Sequence, residues 1–343
     1  MNQRLVSEKV QIADSIEAIN SLFIEKGWSD GLPVIPPTEE AVERMLAGTD
    51  KSPADVVGVI PPRWAEATVE KIAINAVMAG CLPEYMPVII TAVSAMSEET
   101  FNLRGVQATT HPCAPLLIVN GPIALKLNIN SKSGAFGPGW RSNATIGRAI
   151  RLILTNVGGA LPGVTDMATQ AQPCKYTFCI AENEEENPWE PLHVERGFKA
   201  STSTVTVIAA ENPHNINDHS ATTAEEVLTT IVSVMTNIGN NDILYQKGEP
   251  VLALGPEHAA TIAGSGFSKS DIKAFIHEKV RIPRNGFYEK LFVDRYPDLD
   301  ESAVIPLMPQ KEDLIVIVAG GLGKHSSFIS SFGLGRSVTK AIE

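Results

Sequence analysis

The sequence predicts an α/β fold: two lobes from a diverged βαβα duplication, with sheets largely covered by helices. Three observations predict it. Short apolar runs, among them 116–119, 205–209, 251–254 and 314–319, alternate with amphipathic stretches. Such runs suit strands covered by helices. The segments 115–124 and 250–259 also echo each other. Each is a proline, an apolar strand and a Gly-Pro pair opening a helix, with one residue of gap between them. Each half has a further strand-loop-helix unit upstream, at 56–60 and 205–209. The expected organisation is an N-terminal helix and arm (1–50), a first lobe (51–200) and a second lobe (201–343).

In chain order, Ile12, Ile16, Ile19, Leu22 and Phe23 recur at helical spacing and predict a helix over 3–26, stopped by Gly27. A proline-rich arm follows to Thr38, which caps a helix over 39–47. Residues 56–60 read as a short buried strand, 68–80 as a helix ended by Gly80, and 83–96 as a helix with Pro83 in its first turn. A strand at 116–119 leads to a glycine-rich loop (131–141) and a helix over 145–157. A strand at 175–181, an acidic loop at 182–187 and a strand at 205–209 come next. Thr223 and Glu226 form a capping box for a helix over 223–236. A strand at 251–254, helices from Pro256 and over 268–279, and a final strand at 314–319 complete the chain.

Composition narrows the function. Across 343 residues, 28 Lys and Arg face 39 Asp and Glu, so the net charge of −11 argues against nucleic acid as a partner. A hydrophobic share of 44% excludes disorder. No apolar run approaches the ~20 residues that span a bilayer, and the N-terminus has no secretory pattern. The expectation is a cytoplasmic protein with no membrane partner. Cys81, Cys113, Cys174 and Cys179 form no CxxC pair and read as buried thiols.

Polar residues mark five candidate segments. In 211–219, which follows a strand, His214, Asp218 and His219 offer acid/base groups, and Asn212 a substrate contact. His214 and His219 are the candidate ligands of one divalent metal, Zn or Fe. In 107–114, Thr109, Thr110 and His111 suit a substrate or proton transfer, while Cys113 stands too awkwardly beside His111 to pair with it. Arg141, Ser142 and Asn143 precede a predicted helix, where free N–H groups favour an anion. Lys324, His325 and Ser326 follow glycines in a loop that is a phosphate cradle in type, though not a Walker sequence. Glu84, if buried between two helices, is a candidate base. His258, at a helix start, is a further binding candidate.

The strings Gly27-Trp28-Ser29-Asp30-Gly31-Leu32-Pro33-Val34 and Ala79-Gly80-Cys81-Leu82-Pro83-Glu84-Tyr85 resemble a broad family of uncharacterised bacterial proteins. The resemblance continues through Gly255-Pro256-Glu257-His258 to Gly323-Lys324-His325-Ser326 and so covers most of the chain. It implies an association with small proteins bearing a Gly-Ser-Cys motif with cysteine or selenocysteine. The present chain has no such motif, and the resemblance supplies no catalytic residue.

The expected function is therefore an enzyme acting on a small anionic metabolite by acid/base chemistry, metal-assisted in one branch, in the cleft between the lobes. Lyase, hydratase and hydrolase chemistry all fit, and an oxidoreductase stays open. One alternative is a redox subunit working with a small thiol or selenol partner protein through Cys81 or Cys113. The other is a binding module without turnover. Self-association into a homo-oligomer is compatible with each.

Overall fold

The computed structural model describes residues 5–343. Its longer helices are α1 (Ile16–Glu25), α2 (Glu39–Leu46), α3 (Val69–Ala79), α4 (Met86–Met96), α5 (Arg141–Asn156), α6 (Ala224–Met235), α7 (Pro256–Gly264) and α8 (Lys269–Lys279). The strands are β1 (Val56–Ile60), β2 (Ala65–Thr68), β3 (Ala114–Asn120), β4 (Cys179–Ala181), β5 (Thr204–Ala210), β6 (His214–Asn217), β7 (Val251–Leu254), β8 (Arg281–Pro283), β9 (Val304–Pro306), β10 (Ile315–Val318), β11 (His325–Ile329) and β12 (Val338–Ala341). Caps start several helices where the sequence places them. Thr38 accepts the Ala41 N–H, Thr68 accepts the Lys71 N–H, and Thr223 with Glu226 closes a capping box on α6. No helix among the described residues is long and apolar enough to cross a membrane.

Several boundaries differ from expectation. The helix expected over 3–26, whose first two residues lie outside the described ones, begins only at Ile16, capped by Ser15. Ahead of it runs an irregular strap whose Val6 and Ser7 N–H groups donate to the buried Glu70 carboxylate. β1 forms at the expected residues but is buried only at Ile60, and it pairs with β2 in a half-exposed hairpin. The strand expected over 175–181 contracts to β4, because Pro173–Lys175 forms a tight helical turn. The strand at 314–319 is not the last, since β11 and β12 follow it.

Two four-stranded sheets organise the molecule. In the first, ordered β12-β5-β3-β4, β3 runs parallel to β4 and antiparallel to β5, and β5 antiparallel to β12. In the second, ordered β6-β11-β7-β10, β7 runs parallel to β10 and antiparallel to β11, and β11 antiparallel to β6. Order and directions are the same in both. Each sheet also takes its edge strand from chain that has just left the other sheet: β6 follows β5, and β12 follows β11.

Strand alternation then sets the layers. Leu117, Val119, Val205 and Val207 point into a core with α3, α4 and α5. Their neighbours Leu116, Ile118 and Ile208 point the other way, onto Val251, Ala253 and Ile315 of the second sheet. Leu252, Leu254, Val316 and Phe328 face α6, α7 and α8. The result is four layers: helices, sheet, sheet, helices. Two strands beyond residue 200, β5 and β12, belong to the first sheet, so the sheets do not divide the chain at the expected residue. Nor do the sheets enclose a cleft: apolar side chains fill the space between them, which buries surface that a cleft would leave wet.

The two exchange segments are joined to each other. Ala210 bridges Ser331, the Glu211 N–H donates to the Ser330 carbonyl at 2.8 Å, and the Phe332 N–H donates to the Ala209 carbonyl at 2.8 Å. The buried Asp242 carboxylate fastens this crossing. It accepts the Ser331 N–H at 2.8 Å and the Ser331 hydroxyl, with the Ser330 hydroxyl 3.0 Å away.

Candidate functional site

The clearest convergence of predicted residues lies at the outer edge of the second sheet. The segment expected as a loop at 211–219 is partly β6. It alternates, with Ile216 buried and Asn215 and Asn217 exposed. β6 pairs antiparallel with β11, matching His214 to Phe328, Asn215 to Ser327, Ile216 to Ser326 and Asn217 to His325. Ile216 and Phe328 enter the core under α6. Asn215 and His325 are thereby diagonal neighbours on the opposite face.

The turn after β6 is fixed from several sides. Asp218 accepts the Ser220 and Ala221 N–H groups at 3.1 and 2.9 Å and the Thr230 hydroxyl at 2.6 Å. The Thr230 hydroxyl and the Ala221 N–H hold its carboxyl below the usual range. Its oxygens are committed to shaping the turn, so it is not placed as a proton carrier. Lys324 Nζ donates to the carbonyls of His219 and Ala221 at 3.3 and 2.9 Å.

His258 is fully buried behind this turn. Its Nε2 lies 3.0 Å from the Asp218 carbonyl, an acceptor, so Nε2 carries the proton and Nδ1 accepts the Ser326 hydroxyl at 2.8 Å. The Ser326 hydroxyl in turn accepts the Gly255 N–H at 3.1 Å. A β-carbon on Gly255 would stand 2.1 Å from the His325 carbonyl, so only glycine fits there. Burial holds the His258 imidazole below its ordinary range, and it is a neutral structural link rather than a substrate contact.

That scaffold leaves two exposed imidazoles facing each other. His219 Nε2 and His325 Nε2 are 3.4 Å apart, with ring centroids at 5.2 Å and planes at 79°. His325 Nδ1 donates to Asn215 Oδ1 at 2.9 Å, which leaves the His325 Nε2 lone pair open.

The other candidates lie elsewhere. His214 is exposed, on the opposite face of β6 from Asn215, so it does not join His219 as a ligand pair. Asn212 is exposed on the exchange segment. His111 sits at the crossing of the exchange segments. Its Nδ1 accepts the Cys113 N–H at 3.3 Å, so Nε2–H points at Glu211 Oε1, 2.8 Å away. Both ring nitrogens are thus committed, and Glu211, which the sequence reading passed over, is the outward-facing partner. Thr109 accepts the His111 N–H at 3.0 Å, and the Thr110 carbonyl accepts the Thr169 N–H at 2.9 Å, so both shape the loop.

Arg141 donates from Nε and one terminal nitrogen to the Gly80 carbonyl at 3.0 and 2.9 Å, closing the end of α3 and standing apart from the other predicted anion contacts. Ser142 and Asn143 are buried within the first turn of α5, bonded to the backbone of Asn128 and Asn130. Glu84 is exposed, so the burial its role as a base requires is missing. The stretch read as a phosphate cradle, 319–327, joins two strands, and no helix start follows it.

A cavity of about 670 Å³ lies under the N-terminal strap, bordered by Phe23, Trp28, Ile74 and Met78, and none of the predicted polar residues lines it. Among the described residues no group of three or more His, Cys, Asp or Glu is gathered as a metal site.

The cysteines are poorly placed for thiol chemistry. Burial pushes the Cys81 and Cys113 thiols up to about 12, and Cys179 higher still. Cys174 is less buried and raised to about 11. Iodoacetamide added to the native protein should leave Cys81, Cys113 and Cys179 unmodified by intact mass, with Cys174 the slow exception, and should label all four in denaturant. Rapid native labelling of Cys81 or Cys113 would revive the thiol-partner alternative.

No protein-family model, curated protein or solved structure matches the chain. Function has to be argued from the site itself.

Proposed function

We propose that the chain is an enzyme acting on a small anionic metabolite at the β6–β11 edge, by acid/base chemistry, metal-assisted in one branch, at the His219–His325 pair. The reaction class is lyase, hydratase or hydrolase. One observation carries the reading: two exposed imidazoles meet nitrogen to nitrogen, and one is oriented by Asn215. A reactive group held by a second group, itself fixed by a third, is the recurring plan of acid/base sites. Lys324 supplies positive charge beside the pair. It is held by two carbonyls rather than a carboxylate, so its charge is not neutralised locally. The shared strand order of the two sheets, which sets β3 beside β7 as counterparts, supports a duplication, but not the upstream units read at 56–60 and 205–209, since β1 lies in a separate hairpin and β5 in the same sheet as β3.

The test has two parts. Malonate or phosphate at millimolar concentration should raise the melting temperature of the native protein by several degrees and leave Lys324→Met unmoved. Proton NMR in D2O should then show exchange or conversion within a panel of small hydroxy-, keto- and unsaturated carboxylates. His325→Ala should slow it about 10²–10⁴-fold without loss of circular dichroism. Anion binding with no turnover across the panel selects the binding module. No response to any anion sinks the reading.

A further inference from the structure

We infer that His219 and His325 together hold one divalent transition-metal ion, with Asn215 fixing the second ligand from behind. The inference rests on the reading above for the anion that completes the coordination, and not for the metal itself.

The distance between the rings is the first argument. Two imidazole nitrogens on a tetrahedral ion at ~2.0–2.1 Å stand roughly 3.3–3.4 Å apart. His219 Nε2 and His325 Nε2 are 3.4 Å apart. The same separation is long for an N–H···N hydrogen bond, whose heavy atoms usually approach to ~3.2 Å or less.

Tautomer is the second. Because Asn215 Oδ1 can only accept, His325 carries its proton on Nδ1 and turns a bare Nε2 lone pair toward His219. A ligating histidine whose far nitrogen donates to a fixed oxygen is the usual second layer of a metal site. A lone pair facing another imidazole nitrogen is stabilised by a cation between them.

Rigidity is the third. His325 opens β11, paired there with Asn217 of β6, and the strand is paired with β7 as well from Ser327 onward. His219 lies on a turn tied down by Asp218, His258 and Lys324. The backbone under both ligands is therefore fixed before metal arrives, and the His325 ring is fixed as well by Asn215, which lowers the ordering entropy that opposes binding.

Two protein ligands leave open positions, which water or an anion must fill. The Lys324 ammonium beside the site disfavours a bare cation and favours a metal–anion pair. The expected occupant is an imidazole-preferring ion such as Zn²⁺ with a carboxylate or phosphate oxygen.

The test uses full-length protein stripped of metal and titrated with Zn²⁺ against a chromophoric competitor near neutral pH. One equivalent should bind. Asn215→Ala should weaken it by about 10–100-fold. His219→Ala and His325→Ala should each abolish it, and His214→Ala, nearby but turned away, should not change it. Circular dichroism confirms that each variant is folded. The inference is overturned if the parent takes up no equivalent, or if both histidine variants bind as it does.

Phosphate-induced melting shifts on the metal-free protein separate this inference from the functional reading. A shift that needs Lys324, with no zinc uptake, removes the metal and keeps the anion site. Zinc uptake without an anion response keeps the metal and removes the anion reading.

Discussion

Arg148→Ala is expected to lower the unfolding free energy by about 3–5 kcal/mol, the cost of leaving one partner of a buried ion pair behind. Arg148 grips Asp30 with two parallel bonds, Nε to Oδ2 and a terminal nitrogen to Oδ1, both at 2.8 Å. The side chains are only 14% and 5% exposed. The same guanidinium also donates to the Pro33 carbonyl at 2.9 Å. It thus holds a tight turn in which Gly31 has φ of +94°, a conformation that glycine adopts without strain. Removing it leaves the nearly enclosed Asp30 carboxylate without its donors, while the exposed Pro33 carbonyl turns to water. The arm should peel from α5, and Trp28 and Val34 should lose their packing against the core. Denaturant unfolding reads the first effect, and proteolysis within 27–37 reads the second. Arg148→Lys keeps the charge but not the fork, so it should fall between. A loss under about 1 kcal/mol in Arg148→Ala, the range of an exposed pair, with no new cleavage, would show that the arm is held by packing alone.

That clamp explains what the most distinctive strings in the sequence do. α5 carries a row of polar residues, and each meets one of the strings. Arg141 meets Gly80, Arg148 meets Asp30 and Pro33, and Asn156 donates to the Trp28 carbonyl at 2.9 Å. The Cys81 thiol lies 3.2 Å from the Thr145 carbonyl. These motifs build the frame around the N-terminal arm, away from the histidine pair.

Much of the fold is legible because its signals are local. Thr38, Thr68, Thr223 and Ser268 cap helices through their own first turns, and the apolar runs at β3, β5, β7 and β10 mark strands buried on both faces. The exchange of edge strands is not legible. It depends on where the chain goes after Ala210 and Ile329, and no periodicity encodes a partner. β6 and β11 are also short and polar on one face, so they resemble loops. Asn215 could not be linked to His325 without their pairing register. The histidines of 211–219 and 325 stand out by residue type alone. What separates them into structural, as His258 is, and exposed, as His219 is, is burial, which a single sequence carries only weakly.

Asp242→Asn should change how stability responds to pH more than how the fold looks. Asp242 is fully enclosed. Burial pushes its carboxyl up to about 6 from an ordinary 3.8, the nearby Glu211 charge adds to the rise, and the Ser331 and Ser330 donors only partly oppose it. Between pH 3.8 and 6 the native protein therefore keeps a proton that the unfolded chain has released. This contribution to stability is fully present below pH 3.8 and is lost as pH rises through 6. A rise of this size corresponds to about 3 kcal/mol. An asparagine keeps an oxygen for the Ser331 N–H and turns its amide toward a hydroxyl that can accept, so the clasp on the exchange segments survives. The variant should be the more stable protein at pH 7 and lose that advantage progressively as pH falls toward 4. His258 acts in the opposite sense. Its folded form resists protonation, so its contribution is present above pH 6.5 and falls away below it in both proteins. The difference between the two unfolding curves therefore isolates Asp242. A difference that stays constant from pH 4 to 7 would mean that this carboxyl titrates as it does in the unfolded chain, and that the crossing of the two sheets is held together without a buried ionisable group at its centre.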